Sequence, residues 1–276
     1  MQTNCSLTVN WHFTNICNFK CRYCFAHESS SLEWKDYGAV LKKLAPYFKR
    51  INFVGGEPTA SSFLVPLVLK AHSAGFNCSV VTNGFNFIHN FKTFESIFPL
   101  FSCVGLSIDS LFDKTNLKIG RCCTNRVITR KEYENLCVLV KSHGIKLKIN
   151  TVVSKLNLYE DFTKFYEIVQ PDRIKLFQVL KPNTNLINHY DNLLISKAEY
   201  EAFVLRHKTG DFAKNIVAED NEAMKQGYYI LDSECKFVDN KSGNKSPSLA
   251  KDEMTVEKAL EYINVDAKKY QARYTA

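Results

Sequence analysis

The stretch Cys17-Asn18-Phe19-Lys20-Cys21-Arg22-Tyr23-Cys24 puts three thiols within eight residues, directly after a segment with strand character, SLTVNWHF (6–13). Thiolates are soft ligands that select iron–sulfur clusters, copper(I) or zinc. A cubane cluster usually takes four cysteines. Three thiolates bind three irons and leave the fourth open, which suits a ligand that chelates through an amino and a carboxylate group. The competing readings are a zinc site completed by His12 or His27, or three unrelated core cysteines. Zinc sites more often pair Cys-x-x-Cys units across a longer span, so this spacing favours the cluster.

Downstream of the triplet, strands alternate with helices. LEWKDYGAVLKKLAPYF (32–48) sets Leu32, Val40, Leu41, Leu44 and Phe48 near one helical face. RINFVGGEP (50–58) reads as a strand closed by a glycine pair, and SFLVPLVLKAHSAG as a helix ending at Gly75. Then come CSVVTNG (78–84), a helical KTFESIF, CVGLSIDS (103–110), a helix ending at Gly144, KLKINTVV (146–153), a helical EDFTKFYEIV and RIKLFQVL (173–180). Six β units of this kind predict an α/β fold with a parallel sheet, curled or open, whose ligands sit at the strands' C-terminal ends.

After about residue 182 the rhythm changes. PNTNLINHYDN reads as a loop, and SKAEYEAFVLRHK (196–208) as a helix with Ser196 at its N-cap and Glu199 completing a capping box. Tyr228–Phe237 is expected to form a hairpin and TVEKALEYI (255–263) a short helix. The expected division is a core over 1–182 and a C-terminal extension over 183–276.

At 276 residues the chain is long enough to bury a full core. Its 36 Lys+Arg against 28 Asp+Glu give a formal charge of +8, which points to an anionic partner. That partner is either nucleic acid or a phosphorylated small molecule, which charge alone does not separate, although no basic run with interleaved aromatics marks a nucleic-acid tract. A mildly basic soluble protein is the ordinary alternative. The N-terminus, MQTNCSLTVNWHF, has neither a cationic n-region nor an apolar h-region, and no stretch is apolar enough to span a membrane. Ten dilute cysteines without a secretory signal fit a reducing cytoplasm and a metal or redox role.

The triplet followed by Phe25 resembles the radical S-adenosylmethionine (SAM) superfamily. That resemblance implies a partial (βα)6 barrel, a [4Fe–4S] cluster on Cys17, Cys21 and Cys24, and SAM bound to the open iron. Gly55-Gly56-Glu57-Pro58, one β unit later, resembles the motif that meets the methionine amino group, although a glycine pair alone is as often a plain turn. The likeness is closer still to the viperin family. Asn10-Trp11-His12-Phe13-Thr14, Cys24-Phe25-Ala26-His27, residues 51–58, Val81-Thr82-Asn83-Gly84, Leu106-Ser107-Ile108-Asp109-Ser110, Ile119-Gly120-Arg121, residues 148–153, residues 175–180 and Arg206-His207-Lys208 form a collinear series. Tyr229-Ile230-Leu231-Asp232 and Lys245-Ser246-Pro247-Ser248 carry it into the extension. Val54, Cys122 and Arg50 depart from the family pattern, which has a small polar residue, a glycine and a lysine there.

The resemblance implies conversion of a ribonucleoside triphosphate (CTP, UTP or GTP) to its 3′-deoxy-3′,4′-didehydro analogue. A 5′-deoxyadenosyl radical takes the C4′ hydrogen, the 3′-hydroxyl leaves as water, and one further electron and proton transfer completes the product. The product terminates polymerase chains and so opposes viruses or phage. By the same resemblance Phe25, Gly55, Gly56, Glu57, Asn83, Ser107, Arg121 and Asn150 hold SAM, and Asn10, Arg50, Lys175, Arg206 and Lys208 meet the nucleotide, with the extension covering the substrate site. Period-two alternation points Lys175 the same way as Phe177 and Val179, where a lysine wants an anionic partner. A solvated surface role is the ordinary alternative for each of these cations. The expected partners are an electron donor such as flavodoxin or ferredoxin and the nucleotide, with no nucleic acid and no membrane, for a cytoplasmic monomer. The remaining alternatives are a radical SAM enzyme acting on another anion, and a zinc or iron–sulfur protein that only binds.

Overall fold

A computed structural model describes residues 7–24, 34–180 and 192–274. Eight strands form one sheet in the order β7-β6-β5-β4-β3-β2-β1-β8, and every neighbouring pair is parallel. They are β1 (Leu7–Thr14), β2 (Phe48–Gly55), β3 (Asn77–Thr82), β4 (Phe101–Ser107), β5 (Lys146–Val153), β6 (Arg173–Gln178), β7 (Ile216–Glu219) and β8 (Tyr229–Leu231). The first six are the strands read from the sequence, joined by α1 (Trp34–Leu44), α2 (Leu64–Ser73), α3 (Phe85–His89), α4 (Asp113–Ile119), α5 (Arg130–Ser142) and α6 (Thr163–Val169). Beyond them lie α7 (Lys197–His207), α8 (Asn221–Met224), α9 (Val256–Leu260) and α10 (Ala267–Tyr274). The α/β class with a parallel sheet, expected from the alternation and as a partial barrel from the family resemblance, is the class observed.

Strand period two sorts the side chains. Val9, Trp11 and Phe13 of β1, Ile51 and Phe53 of β2, Val104 and Leu106 of β4, and Ile174 and Leu176 of β6 are fully buried in the apolar core. Trp11 packs edge-on against Tyr37 of α1 with ring centroids 5.5 Å apart, which places this face against the helices. The alternate residues, among them Thr8, Asn10, Asn52, Ser79, Lys148, Asn150 and Lys175, face the inside of the curl. Helix α7 begins as its sequence requires: Ser196 Oγ accepts from Glu199 N–H, and Glu199 accepts from Ser196 N–H in return.

Several expectations are corrected. Helix α1 stops at Leu44, ahead of Pro46, and Phe48 opens β2 instead of closing the helix. The helix expected over 92–98 is reduced to 3-10 turns at Phe91–Thr93 and Phe98–Leu100. Buried Phe94, Ile97 and Phe98 hold that stretch by packing, and Pro99 cannot continue a helix. The hairpin at 228–237 is half right. Leu231 bridges Phe237 in antiparallel fashion, yet β8 itself adds to β1 in parallel. The 182/183 division lies outside the described residues.

The chain after α7 supplies both outer strands of the sheet. Glu219 ends β7 at one edge and Tyr228 precedes β8 at the other, yet their side chains are hydrogen bonded. The sheet therefore curls until its edges nearly meet. Helix α10 crosses the N-terminal ends of the strands: Tyr270 Oη accepts from Thr8 N–H at 2.6 Å, and Arg173 Nη2 donates to the Arg273 carbonyl at 2.6 Å. No helix among the described residues is long and apolar enough to cross a membrane. Tyr270→Phe strands the buried Thr8 amide, and such a loss costs about 1–3 kcal/mol. The urea midpoint of the variant should fall accordingly, and an unchanged midpoint would exclude this contact as a fastener of the curl.

Candidate active site

Residues 15–24 carry almost no regular structure, so neighbouring segments must hold them. Gly56 N–H donates to the Thr14 carbonyl and Glu57 N–H to the Ile16 carbonyl, both at 2.7 Å. A Cβ at Gly55 would strike the Thr14 carbonyl, and one at Gly56 the Ile16 carbonyl. Gly55 also sits at φ +138°, in the region that favours glycine. The glycine pair thus admits the backbone that leads into the cysteine loop. On the far side, Lys20 and Arg22 N–H groups donate to the Gly120 and Ile119 carbonyls at 3.1 and 2.9 Å. Gly120, at φ +85°, has no room for a Cβ beside Lys20.

Three expected SAM residues also serve this loop. The Glu57 carboxylate is buried and fully used: it accepts from Thr59 N–H, Thr59 Oγ1, Thr82 Oγ1 and Asn83 N–H at 2.6–3.0 Å. Burial pushes its carboxyl up, and these donors oppose the rise. Asn83 Nδ2 donates to Asn18 Oδ1 at 2.7 Å, inside the loop. Arg121, only 6% exposed, pairs with Asp109 at 2.8 Å, donates to the Ser107 carbonyl at 2.5 Å and lies 3.7 Å from Cys21 Sγ. Asp109 in turn accepts from Tyr23 Oη at 2.6 Å and Val152 N–H at 2.7 Å. Asp109 was missed as a functional position, because the pairing that makes it one spans the ends of β4, β5 and the loop.

Cys17, Cys21 and Cys24 are free thiols in this loop. Burial above all, with smaller contributions from the neighbouring thiols, holds Cys17 up at about 11 and Cys21 up at about 12. Such thiols are neutral at pH 7, and a bound soft metal supplies the charge that deprotonates them. Among the described residues no three His, Cys, Asp or Glu side chains converge on one metal position. A cubane does not ask for that, since each thiolate binds its own iron. The donor chemistry and the exposure of Cys24 beside two half-buried thiols therefore fit an iron–sulfur cluster. Phe25 lies outside the described residues.

Below the loop the inside of the curl is polar. Asn10 Oδ1 accepts from Asn52 Nδ2 at 2.8 Å, Ser79 Oγ donates to Asn52 Oδ1 at 3.0 Å, and Asn10 Nδ2 donates to Tyr274 Oη at 3.1 Å. Arg50 lies over the Tyr274 ring, 5.7 Å from its centroid. Lys148 reaches across β4, where Gly105 leaves space that a Cβ would fill. Lys148 is in register with Arg173, and Asn150 with Lys175. Asn150 Oδ1 and Arg173 Nε are buried without a hydrogen-bond partner, as expected of groups that wait for a ligand. Burial pulls the Lys175 ammonium below the ordinary lysine range, Glu219 opposes this, and Lys148 adds to it. Lys148, Arg173, Asn52 and Ser79 were missed, although alternation along KLKIN already put Lys148 and Asn150 on one side.

Two expected nucleotide contacts are not brought to this lumen. Arg206 and Lys208 stand exposed on and after α7, outside the sheet. Arg206 donates to the Leu158 carbonyl at 2.5 Å and lies over the Phe203 ring, and Lys208 lines an outer groove between α7 and β7. Helix α7 packs on the outer face of β6, where Tyr200 Oη donates to the Leu176 carbonyl, so its polar end cannot reach inward. Gly56→Ala should push residues 14–16 away and lower the iron bound per chain after anaerobic reconstitution, with far-ultraviolet circular dichroism unchanged. Full iron loading would show that the close approach is dispensable.

The match to known proteins agrees with this geometry. Residues 11–169 match the model of the radical SAM superfamily. An S-adenosylmethionine-dependent nucleotide dehydratase of Flammeovirga pacifica is 34% identical over 95% of this chain and 92% of its own length. The nucleotide dehydratase RSAD2 of Danio rerio is 31% identical over 96% and 76%. Among solved structures, anSMEcpe with bound AdoMet superposes with a TM-score of 0.68 at 16% identity, over 96% of this chain and 82% of that one, and so shares the fold. A [4Fe–4S] cluster and SAM are the cofactors of this superfamily. The chain belongs to the radical SAM superfamily and, within it, to the viperin-like S-adenosylmethionine-dependent nucleotide dehydratases.

Proposed function

We propose that this protein dehydrates a ribonucleoside triphosphate, CTP, UTP or GTP, to the 3′-deoxy-3′,4′-didehydro analogue, a chain terminator used against viruses or phage. When bound, the cluster and SAM supply the 5′-deoxyadenosyl radical. The observation that carries the reading is the gathering of Lys148, Arg173 and Lys175 on the inner face of β5 and β6, with unsatisfied Asn150 above them. A triphosphate brings about four negative charges and many acceptor oxygens, and converging cations are what it needs.

In this reading Cys17, Cys21 and Cys24 hold the cluster. Arg121, Asn83 and Glu57 keep the loop in place, while the Gly55–Gly56 backbone, Ser107 and Asn150 border SAM. Arg50, Lys148, Arg173 and Lys175 take the phosphates, and Asn10 with Asn52 orients the sugar or base. The core over 1–182 then carries the cofactors, and the extension over 183–276 closes the nucleotide site through Glu219, Tyr228 and Arg273. A carrier such as flavodoxin or ferredoxin supplies one electron for SAM cleavage and one more to complete the didehydro product, acting on a cytoplasmic monomer.

Reduced, reconstituted enzyme and SAM should be incubated with each triphosphate separately, and one of them should lose the mass of a water. No loss from any triphosphate would sink the assignment. Cys21→Ala should abolish both iron binding and SAM cleavage, and retained cleavage would contradict the ligand set. Lys175→Ala should lower nucleotide-dependent SAM cleavage by at least about thirtyfold, the scale of losing one partner of a buried charged contact, with iron content unchanged. Equal loss of iron and cleavage would refute a specific role for Lys175 in nucleotide binding.

A further inference from the structure

Glu219 comes from the extension, yet its carboxylate sits among the lumen cations. Its side chain is 3% exposed, and Oε1 lies 2.5 Å from Lys175 Nζ. Oε2 accepts from Arg273 Nε at 3.0 Å and from the Tyr228 hydroxyl. Lys175 Nζ also donates to Tyr228 Oη at 2.8 Å, and both cations lie over the Tyr228 ring, at 5.0 and 4.4 Å from its centroid. Among the described residues Glu219 is the one carboxylate that pairs with any of Lys148, Arg173, Lys175 and Arg273.

Buried cations this close repel one another unless an anion stands between them. Glu219 supplies that anion. It also stands where a phosphate would have to come to reach Lys175, because the ammonium is already engaged on its Glu219 side. A phosphate that binds Lys175 must push the carboxylate toward Arg273 or accept a like charge beside it.

We propose that Glu219 is an internal stand-in for a substrate phosphate, which holds Lys175 while the lumen is empty and weakens nucleotide binding by competing for it. This rests on the reading of Lys175 as a phosphate ligand. Glu219 is then a residue that tunes affinity for the anionic end of the substrate, placed on the extension so that arrival of a triphosphate loosens the seam between β7 and β8. The same competition helps an equally charged product to leave.

The test uses reconstituted holoenzyme and Glu219→Gln, with tripolyphosphate, CTP, UTP, GTP and cytidine as probes. Removing one opposing charge near the bound anion should tighten tripolyphosphate and the accepted triphosphate by about tenfold or more. Cytidine, which lacks phosphate, should change less than about twofold. Since the substitution leaves Lys175 and Arg273 uncompensated, thermal unfolding is measured as well. Saturating tripolyphosphate should raise the melting temperature of the variant more than that of the wild type. Equal or weaker binding by the variant, or equal thermal shifts, would overturn the role of Glu219 alone. A wild-type protein that binds neither tripolyphosphate nor any triphosphate would overturn the phosphate-binding lumen, and this proposal with it.

Discussion

The backbone of Thr14–Ile16 lies against that of Gly55–Glu57 through two 2.7 Å hydrogen bonds, and two missing Cβ atoms make that approach possible. Everything at the mouth of the curl follows from it. Once the first turn of the cysteine loop is pinned to the end of β2, Asn83 at the end of β3 can reach Asn18, and α4 can receive Lys20 and Arg22. The Arg121–Asp109 pair adds an ionic tie to the ends of β4 and β5. A loop without helix or strand of its own is thereby fixed from four consecutive β units, which is the rigidity that cofactor ligands require.

A second ordering principle acts below the mouth. In a closed barrel of ordinary stability the inward residues would be apolar and fill the space. Here the inner face carries Asn10, Asn52, Ser79, Lys148, Arg173 and Lys175, and the apolar packing is displaced to the outer face against the helices. Buried charge of this kind costs stability. The protein offsets part of that cost with one carboxylate and with aromatic faces at Phe177 and Tyr228, which lie 5.1 and 5.0 Å from the Lys175 ammonium. Stability is traded for an interior able to receive an anion.

Much of this was legible in the sequence, for identifiable reasons. Strands such as KLKINTVV and RIKLFQVL show their period directly, and the cysteine triplet and glycine pair are local signals. The Ser196–Glu199 capping box is likewise complete within four residues. The rest depends on distant residues meeting. Asp109 looks like any strand-end carboxylate until Arg121 and Tyr23 are folded onto it. Glu219 and Arg273 lie in stretches whose sequence announces no element and Tyr228 in an expected hairpin, and only the curl brings the three to Lys175. Arg206 and Lys208 erred the other way: a cationic pair at a helix end carries no mark of which side of the sheet it will occupy.

The outer edge of β1 is covered by a strand some two hundred residues further along, as Asn10 to the Tyr229 carbonyl spans 219 positions and Thr8 to Tyr270 spans 262. During synthesis β1 thus precedes its partner and must wait with a bare, hydrogen-bonding margin until Tyr229–Leu231 has followed it from the ribosome. Exposed margins of this sort invite pairing with other chains. Nascent copies are accordingly open to edge-to-edge pairing in that interval.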